Sequence, residues 1–305
     1  MPITTFDLPW RAPYDAAGMQ YFFDRHLVPG LEAVVQDAGR AWTTRALALG
    51  AHRGWLQFAF DTDGGQVLLR VSEGLAPALA LLLPRVRALL DLDADPAAID
   101  AVLLPHFPGS AGARVPGSLD GFELAVRAIL GQQVTVAAAH TIAGRLVARY
   151  GDPVETPFPG VSRLFPAAAA LAAADGDALG GLGIVRQRQA AIVALAREVA
   201  EGRIGLQPGD DPEPAMAALR ALPGIGDWTA QYIALRALRW ADAFPAGDIA
   251  LQKALGVRGA ARPALAAIAA SQAWRPWRGY AVLRAWYGAP AATIAAVPSD
   301  ADTTP

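Results

Sequence analysis

Strand-like residue runs are confined to the first quarter of this 305-residue chain, and this asymmetry limits its possible folds more than any other feature. Three such runs occur, at residues 41–49, 55–61 and 66–71. Asp63-Gly64-Gly65 between the last two is typical of a hairpin turn. Apolar spacing predicts a helix over 14–38 and another from Pro77 to about Leu90. We therefore predict an N-terminal α+β domain, a small antiparallel sheet with helices on one face.

Helical patterns replace strand patterns after residue 118. Asp120 is placed to cap a helix ending at Leu130, and Thr135 to cap a second helix ending at Tyr150. Further helices are predicted at 166–174, 186–201, 212–221, 228–239, 249–255, 263–271 and 277–287. The predicted organisation is an N-terminal α+β domain (1–92), a connection that packs with the C-terminal helices (93–118), a helical domain (119–240), a C-terminal helical segment (241–290) and a flexible tail (291–305).

The composition excludes several classes of site. With no cysteine, the chain has no disulfide, thiolate nucleophile, cysteine-ligated zinc or cysteine-held iron–sulfur cluster. Four scattered histidines do not indicate a histidine-rich metal site. The N-terminus lacks the pattern of a signal peptide, and the apolar runs are too short to span a bilayer. We therefore expect a cytoplasmic protein with no membrane partner.

The charge is unevenly distributed along the chain. The net charge of −2 argues against a nucleic-acid partner at first sight. Residues 215–290, however, carry nine basic and three acidic side chains, a net charge of +6. Such a segment can present a basic face to DNA, although a merely solvated helical surface is equally compatible with the charge.

A glycine-rich turn joins two predicted helices at 219–232, with the sequence Leu-Pro-Gly-Ile-Gly at 222–226. Pro223 ends the first helix, Gly224 and Gly226 allow positive φ and close backbone approach, and Asp227 is expected to cap the second helix. Backbone N–H groups beside a helix start bind phosphate without reading base sequence. An ordinary tight helical hairpin is the alternative.

The motif resembles the hairpin of the helix–hairpin–helix DNA glycosylase superfamily, in which an essential Asp opens a later helix. Asp248 lies 22 residues after Gly226 at such a position. Residues 131–134 (Gly-Gln-Gln-Val) resemble the family's interhelical loop, and 277–287 its C-terminal aromatic helix. The N-terminal domain is similar to the extra domain of the DNA-3-methyladenine glycosylase II family. The resemblance covers roughly 8–288 and implies all-α helix–hairpin–helix glycosylase domains after the sheet.

The resemblance implies a role for each matching residue. Asp248 would be the catalytic carboxylate, stabilising positive charge on the sugar and orienting water; N-capping alone is the alternative. Gln133 would be the wedge that fills the gap left by a flipped base, where the best-known member has an aliphatic residue; a loop amide without DNA contact is the alternative. The base pocket would be aromatic, and each ring would attract a cationic alkylated base by about 0.5–2 kcal/mol. Its predicted residues are Trp228, Tyr232, Trp286 and Tyr287. Packing of these rings in the hydrophobic core is the alternative.

The chemistry implied is base removal without strand cleavage. Bifunctional members carry a Lys just after the hairpin, whereas this chain has Trp228 there and its one lysine, Lys253, elsewhere. No cofactor is required, and the carbonyls of Arg220, Leu222 and Ile225 would hold a structural Na⁺ or K⁺. The predicted contacts to the DNA backbone are Gly224, Ile225, Gly226, Thr229, Arg127, Arg236, Arg239, Arg275 and Arg278.

The sequence thus predicts a monomeric, monofunctional glycosylase that acts on damaged double-stranded DNA in base excision repair. Two alternatives stay open: a non-catalytic helix–hairpin–helix DNA-binding protein, and a glycosylase for deaminated or oxidised purines. The sequence leaves the range of lesions open.

Overall fold

The N-terminal part of the protein is a five-stranded sheet. A computed structural model describes residues 3–287. The strands lie in the order β1-β5-β4-β3-β2, and every neighbouring pair is antiparallel. The predicted turn at Asp63-Gly64-Gly65 joins β4 to β5. The strands are β1 (Ile3–Pro9), β2 (Glu32–Asp37), β3 (Arg40–Leu49), β4 (His52–Asp61) and β5 (Gln66–Ser72).

Two of these strands correct the sequence prediction. β1 was not predicted; it pairs with β5 at one edge of the sheet. β2 lies inside the predicted helix 14–38, whose helical part, α1, covers only Ala16–Asp24. The helix ends at Asp24, and Pro29 and Gly30, whose φ is +84°, keep the chain from resuming it. The apolar spacing of Leu27, Leu31 and Val34 therefore imitates a helix that the chain does not form.

A helix covers one face of the sheet. A 3₁₀ helix (Glu73–Ala78) leads into α2 (Leu79–Leu89), as expected for this segment. Leu82 and Val86 of α2 are fully buried together with Leu56 of β4 and Leu69 of β5. Burial of such side chains contributes about 1.5–3 kcal/mol each. The predicted α+β domain is confirmed.

The remaining described chain is helical, as predicted. Two short helices, α3 and α7, were not expected, and α3 lies in the segment predicted as a connection. None of the helices in the described residues is long and apolar enough to cross a membrane. The helices are α3 (Pro96–Leu103), α4 (Gly121–Leu130), α5 (Val136–Tyr150), α6 (Ala168–Ala172), α7 (Gly176–Gly180), α8 (Arg186–Ala200), α9 (Pro212–Arg220), α10 (Asp227–Arg236), α11 (Ile249–Ala254), α12 (Pro263–Ala270) and α13 (Arg278–Trp286).

Helix α4 is the centre of the helical part. Nine of its ten residues are buried, and it packs against α8 and α10. Asp120 caps α4 by accepting from the Glu123 N–H, and Thr135 caps α5 by accepting from the Ala138 N–H, as predicted. Because α4 runs into the loop 131–135 and α10 starts at the glycine-rich turn, their packing brings these two segments together.

A buried ion-pair network joins the sheet to the helices. Arg45 of β3 contacts Glu32 at 3.0 Å and Glu123 of α4 at 2.7 Å, and Arg127 contacts Glu123 at 2.9 Å. Burial alone would raise the pKa of Glu123, but Arg45 and Arg127 hold it below its ordinary value. Such a network fixes the two parts in register, since breaking a buried pair is strongly destabilising. The domain boundaries proposed above stay predictions.

Candidate active site

The carboxylate of Asp248 is held by three neutral donors. Its Oδ2 accepts from the indole Nε1 of Trp228 at 2.8 Å, and its Oδ1 accepts from Nε1 of Trp286 at 3.0 Å. The backbone N–H of Leu251 donates to Oδ1 at 2.7 Å. No cation of residues 3–287 lies within ion-pair distance of this group. The carboxylate is therefore fixed in orientation while its charge is not neutralised by a protein cation.

The local chain explains why Asp248 lies here. It is the N-cap of α11, and its backbone N–H donates to the Pro245 carbonyl in the preceding turn. Packing of α11 against α13 brings Trp286 to the carboxylate, while Trp228 comes from the first turn of α10. Capping and the predicted catalytic position are thus combined in one residue.

Three of the four predicted pocket aromatics come together around Asp248. The rings of Trp228 and Tyr232 stack with centroids 5.3 Å apart and planes 10° apart, as their spacing of four along a helix allows. The ring centroid of Trp286 lies 6.1 Å from that of Tyr232. All three rings are half-buried. Tyr287 lies apart: it is 51% exposed and contacts Phe22 edge-on, facing a different cavity.

A cleft of about 190 Å³ opens beside the stacked pair, between α4, α5 and α10. Trp228 belongs to both features, since its Nε1 donates to Asp248 and its side chain lines the cleft. Two histidines, His26 and His140, line the same cleft. Sequence reasoning missed them because each is a lone histidine in an ordinary helical context, and only the fold brings the two together.

The turn between α9 and α10 has the geometry of a backbone anion site. Gly224 takes a φ of +75°, and a Cβ there would lie 3.3 Å from the Ala191 side chain. Gly226 has a φ of −88° and open space around it, so it does not use the positive φ that a glycine allows. Gly226, rather than Asp227, is the N-cap of α10; Asp227 instead pairs with Arg220 at 2.7 Å. With no capping side chain, the first N–H groups of α10 are available to an anion.

The loop 131–135 meets this turn through Gln132. Its Nε2 donates to the Gly224 carbonyl at 3.0 Å and to Thr229 Oγ1 at 3.1 Å, and Arg188 of α8 donates to its carbonyl. Gln133, the predicted wedge, is exposed next to it with a φ of +54°. The loop, the glycine-rich turn and the start of α8 therefore form one surface, and the wedge role of Gln133 stays a prediction.

The side chains of Ile225 and Thr229 are buried. Any phosphate contact of these two residues would therefore use their backbone N–H groups. Of the three predicted cation ligands, the Leu222 carbonyl already accepts from the Ile225 N–H at 3.3 Å. The site for Na⁺ or K⁺ stays a prediction.

Most of the arginines predicted to contact phosphate are engaged within the protein. Arg236 donates to the Pro116 and Gly117 carbonyls at 2.8 and 3.1 Å, Arg239 pairs with Asp91, and Arg278 pairs with Asp242 at 2.7 Å. Arg127 belongs to the network of Glu32 and Glu123. Arg127, Arg236, Arg239 and Arg278 thus have partners inside the protein, and their phosphate role stays a prediction.

Other cations are more exposed to solvent. Arg275 is half exposed although it shares Asp242. Several cations of the helical part are exposed and form no ion pair within residues 3–287, among them Arg186, Lys253, Arg258 and Arg262. Arg186 begins α8, beside the surface formed by the loop and the turn. Charge counting along the sequence does not separate such residues from arginines that neutralise a distant carboxylate.

Known proteins resemble this chain along nearly its whole length. Residues 5–120 match the AlkA N-terminal domain. The chain is 35% identical over 283 residues to DNA-3-methyladenine glycosylase 2 of Escherichia coli, covering 92% of this chain and 96% of that protein. It is 40% identical over 287 residues to a probable bifunctional transcriptional activator/DNA repair enzyme AlkA of Mycobacterium tuberculosis, covering 92% of this chain and 56% of that protein.

The fold has solved counterparts. A 3-methyladenine DNA-glycosylase from Archaeoglobus fulgidus superposes with a TM-score of 0.73 at 19% identity, over 93% of this chain and 97% of that one. Residues 126–278, which contain the loop, the turn and Asp248, match the HhH-GPD superfamily of base excision DNA repair proteins. The chain therefore belongs to the HhH-GPD superfamily.

Proposed function

We propose that this protein is a monofunctional DNA N-glycosylase that flips alkylated bases out of duplex DNA and hydrolyses their N-glycosyl bonds. The observation that carries the proposal is the Asp248 carboxylate, which two indoles and a backbone N–H hold beside an aromatic cleft. The similarity to DNA-3-methyladenine glycosylase 2 over 92% of the chain supports alkylated bases as substrates.

Asp248 supplies the electrostatic part of the reaction. As the bond from the sugar C1′ to the base breaks, the sugar develops oxocarbenium character. A carboxylate that is already oriented stabilises this positive charge without reorganisation, and it can orient the attacking water or take its proton. Neutral indole donors suit this role, because a guanidinium partner would cancel the field that Asp248 exerts on the sugar.

The aromatic residues supply the base pocket. The target nucleotide must leave the stack, and an alkylated base costs less to extrude than an intact pair. Trp228, Tyr232 and Trp286 offer electron-rich faces, and each ring attracts a cationic base by about 0.5–2 kcal/mol.

The product is an abasic site rather than a cleaved strand. Strand cleavage by the Schiff-base route needs an amine at the sugar. Trp228 follows the turn, and Lys253 is exposed at the end of α11. The side chains of residues 3–287 that donate to Asp248 are two indoles, which form no Schiff base.

Several components serve to hold DNA. The N–H groups at the start of α10 bind a phosphate, Gln133 enters the gap left by the flipped base, and exposed cations such as Arg186 and Arg258 contact the backbone. A Na⁺ or K⁺ on the carbonyls of the turn would stiffen it. One chain suffices for this arrangement, so we propose a monomer.

The test is product analysis with the full chain on methylated duplex DNA. The expected result is release of free 3-methyladenine, with abasic sites that break only under alkali. Borohydride should trap no covalent adduct. Binding of the DNA without release of any base would contradict catalysis, and robust borohydride trapping would contradict the monofunctional mechanism.

A further inference from the structure

His26 and His140 line the cleft beside Trp228 and Tyr232, and the chemistry above uses neither of them. His26 follows α1 and His140 lies in α5, and their rings meet edge-on with centroids 5.5 Å apart. The N-terminal domain therefore contributes a polar group to a cleft whose other walls belong to the helical part.

The hydrogen bonding of His26 fixes which nitrogen faces away from the protein backbone. Its Nδ1 lies 2.6 Å from the Phe22 carbonyl oxygen, which can only accept, so Nδ1 carries the proton and Nε2 keeps a free lone pair. Burial lowers the pKa of His26 to about 3, and Arg236 and Arg127 act in the same direction. The ring is neutral at pH 7, and stacking on Phe22 at 4.1 Å holds it in place.

His140 complements this acceptor. Burial and the nearby Arg127 lower its pKa, so it too is neutral at pH 7. Its ring makes no side-chain hydrogen bond to any of residues 3–287. One ring nitrogen is therefore free to donate and the other to accept.

The two arginines of the cleft are not available for the same purpose. Arg127 donates to Glu123 at 2.9 Å and to the His26 carbonyl, and Arg236 donates to the Pro116 carbonyl at 2.8 Å. Besides the Tyr232 hydroxyl, which accepts from Arg236, the polar side-chain groups left to meet a base in this cleft are the two imidazoles.

We propose that His26 and His140 form the hydrogen-bonding wall of the base pocket and select purines that carry an N–H group on their Watson–Crick edge. The proposal rests on the glycosylase function above. Nε2 of His26 accepts from the amino group of 3-methyladenine or from N1–H of hypoxanthine, and His140 contacts the neighbouring edge atom.

The base 1,N6-ethenoadenine is the informative contrast. Its Watson–Crick edge is closed by a carbon bridge and offers no N–H group. A site built to hydrogen-bond a substrate N–H rejects an analogue that lacks it, because its own acceptor is left unpaired. Wild-type protein should therefore release hypoxanthine much faster than ethenoadenine from the same duplex.

The test measures single-turnover release of both bases by wild type, His26→Phe, His140→Leu and His140→Gln. His26→Phe keeps an aromatic ring against Phe22 but removes the acceptor, and His140→Gln keeps hydrogen bonding. We expect the hypoxanthine-to-ethenoadenine rate ratio to fall by at least about tenfold in His26→Phe and His140→Leu and to be retained in His140→Gln. Melting temperature and affinity for abasic-site DNA check the fold.

An unchanged ratio in both His26→Phe and His140→Leu, with base release persisting, would overturn the histidine wall and leave the glycosylase function standing. If His26→Phe does not fold, the two His140 variants decide, since His140 is only half-buried. Wild-type protein that releases neither base nor 3-methyladenine would instead remove the proposed function, and the histidine wall with it.

Discussion

Asp242 and Asp248 lie six residues apart in the segment after α10, yet one carboxylate is paired with cations and the other is not. Asp242 is 8% exposed and accepts from Arg278 at 2.7 and 2.8 Å and from Arg275. Asp248 accepts only from neutral indole and backbone N–H groups. Asp242 is thus neutralised by its partners, whereas Asp248 keeps its charge for a positively charged sugar.

The difference shows how a fold separates a structural carboxylate from a catalytic one. Pairing with guanidinium groups makes burial of Asp242 tolerable and ties the turn after α10 to α13. Indole donors orient Asp248 without cancelling its field. The two carboxylates accept the same number of hydrogen bonds, so donor type rather than hydrogen-bond number distinguishes them.

The largest effect expected is that of Asp248→Asn on base release. The amide keeps the size of the side chain but removes the charge that stabilises the oxocarbenium-like sugar, so the single-turnover rate should fall by about 10²–10⁴-fold. The melting temperature should change little. Release of 3-methyladenine at the wild-type rate would show that Asp248 is only a helix cap.

Asp242→Asn should give the opposite pattern. Removing one partner leaves the buried guanidinium of Arg278 unpaired, which costs about 3–5 kcal/mol of unfolding free energy. Chemical denaturation measures this loss. Base release per folded molecule should remain within a few-fold of wild type, and a catalytic defect as large as that of Asp248→Asn would erase the distinction between the two residues.

Removal of a single indole donor should produce an intermediate effect. Trp286→Phe keeps an aromatic ring but loses the bond of 3.0 Å to Oδ1, and a hydrogen bond to a charged group contributes about 1.5–3 kcal/mol. We expect base release to slow by roughly tenfold to a hundredfold. Trp277→Phe is the matched control, because Trp277 packs edge-on against Tyr280 and should leave the rate unchanged.

The smallest effect is expected from substituting the arginines that pair with Asp242. The Arg275 side chain is 50% exposed, so Arg275→Gln should lower the unfolding free energy by less than about 1 kcal/mol. Arg278→Gln should lower it by several times as much, because the Arg278 side chain is only 8% exposed. Equal losses in denaturation experiments would mean that exposure does not rank these ion pairs.

The sequence predicted the fold well wherever local signals were strong. The caps at Asp120 and Thr135 and the turn at Asp63-Gly64-Gly65 were confirmed because side-chain capping and turn chemistry act within a few residues. β1 was missed because an edge strand needs few apolar residues. β2 was missed because its apolar positions continue the helical spacing of α1, although the helix itself ends at Asp24.

The site was predictable in outline and not in its contacts. Family motifs located Asp248, Trp228, Tyr232 and Trp286, and the structure brings these four together. The roles of the arginines could not be predicted, because their partners are distant in sequence. Arg239, for example, pairs with Asp91, 148 positions away. The two histidines of the cleft were missed for the same reason, since tertiary packing alone makes them neighbours.

The most direct test of whether the Asp248 charge is available to the sugar compares the affinity of the protein for duplexes that carry a charged or a neutral sugar mimic. Duplex DNA with a protonated pyrrolidine in place of the target sugar imitates the developing cation, and a tetrahydrofuran abasic site is its neutral counterpart. Wild-type protein should bind the cationic duplex at least about tenfold more tightly, and Asp248→Asn should bind the two equally. The same preference in Asp248→Asn as in wild type would contradict the role assigned to this carboxylate.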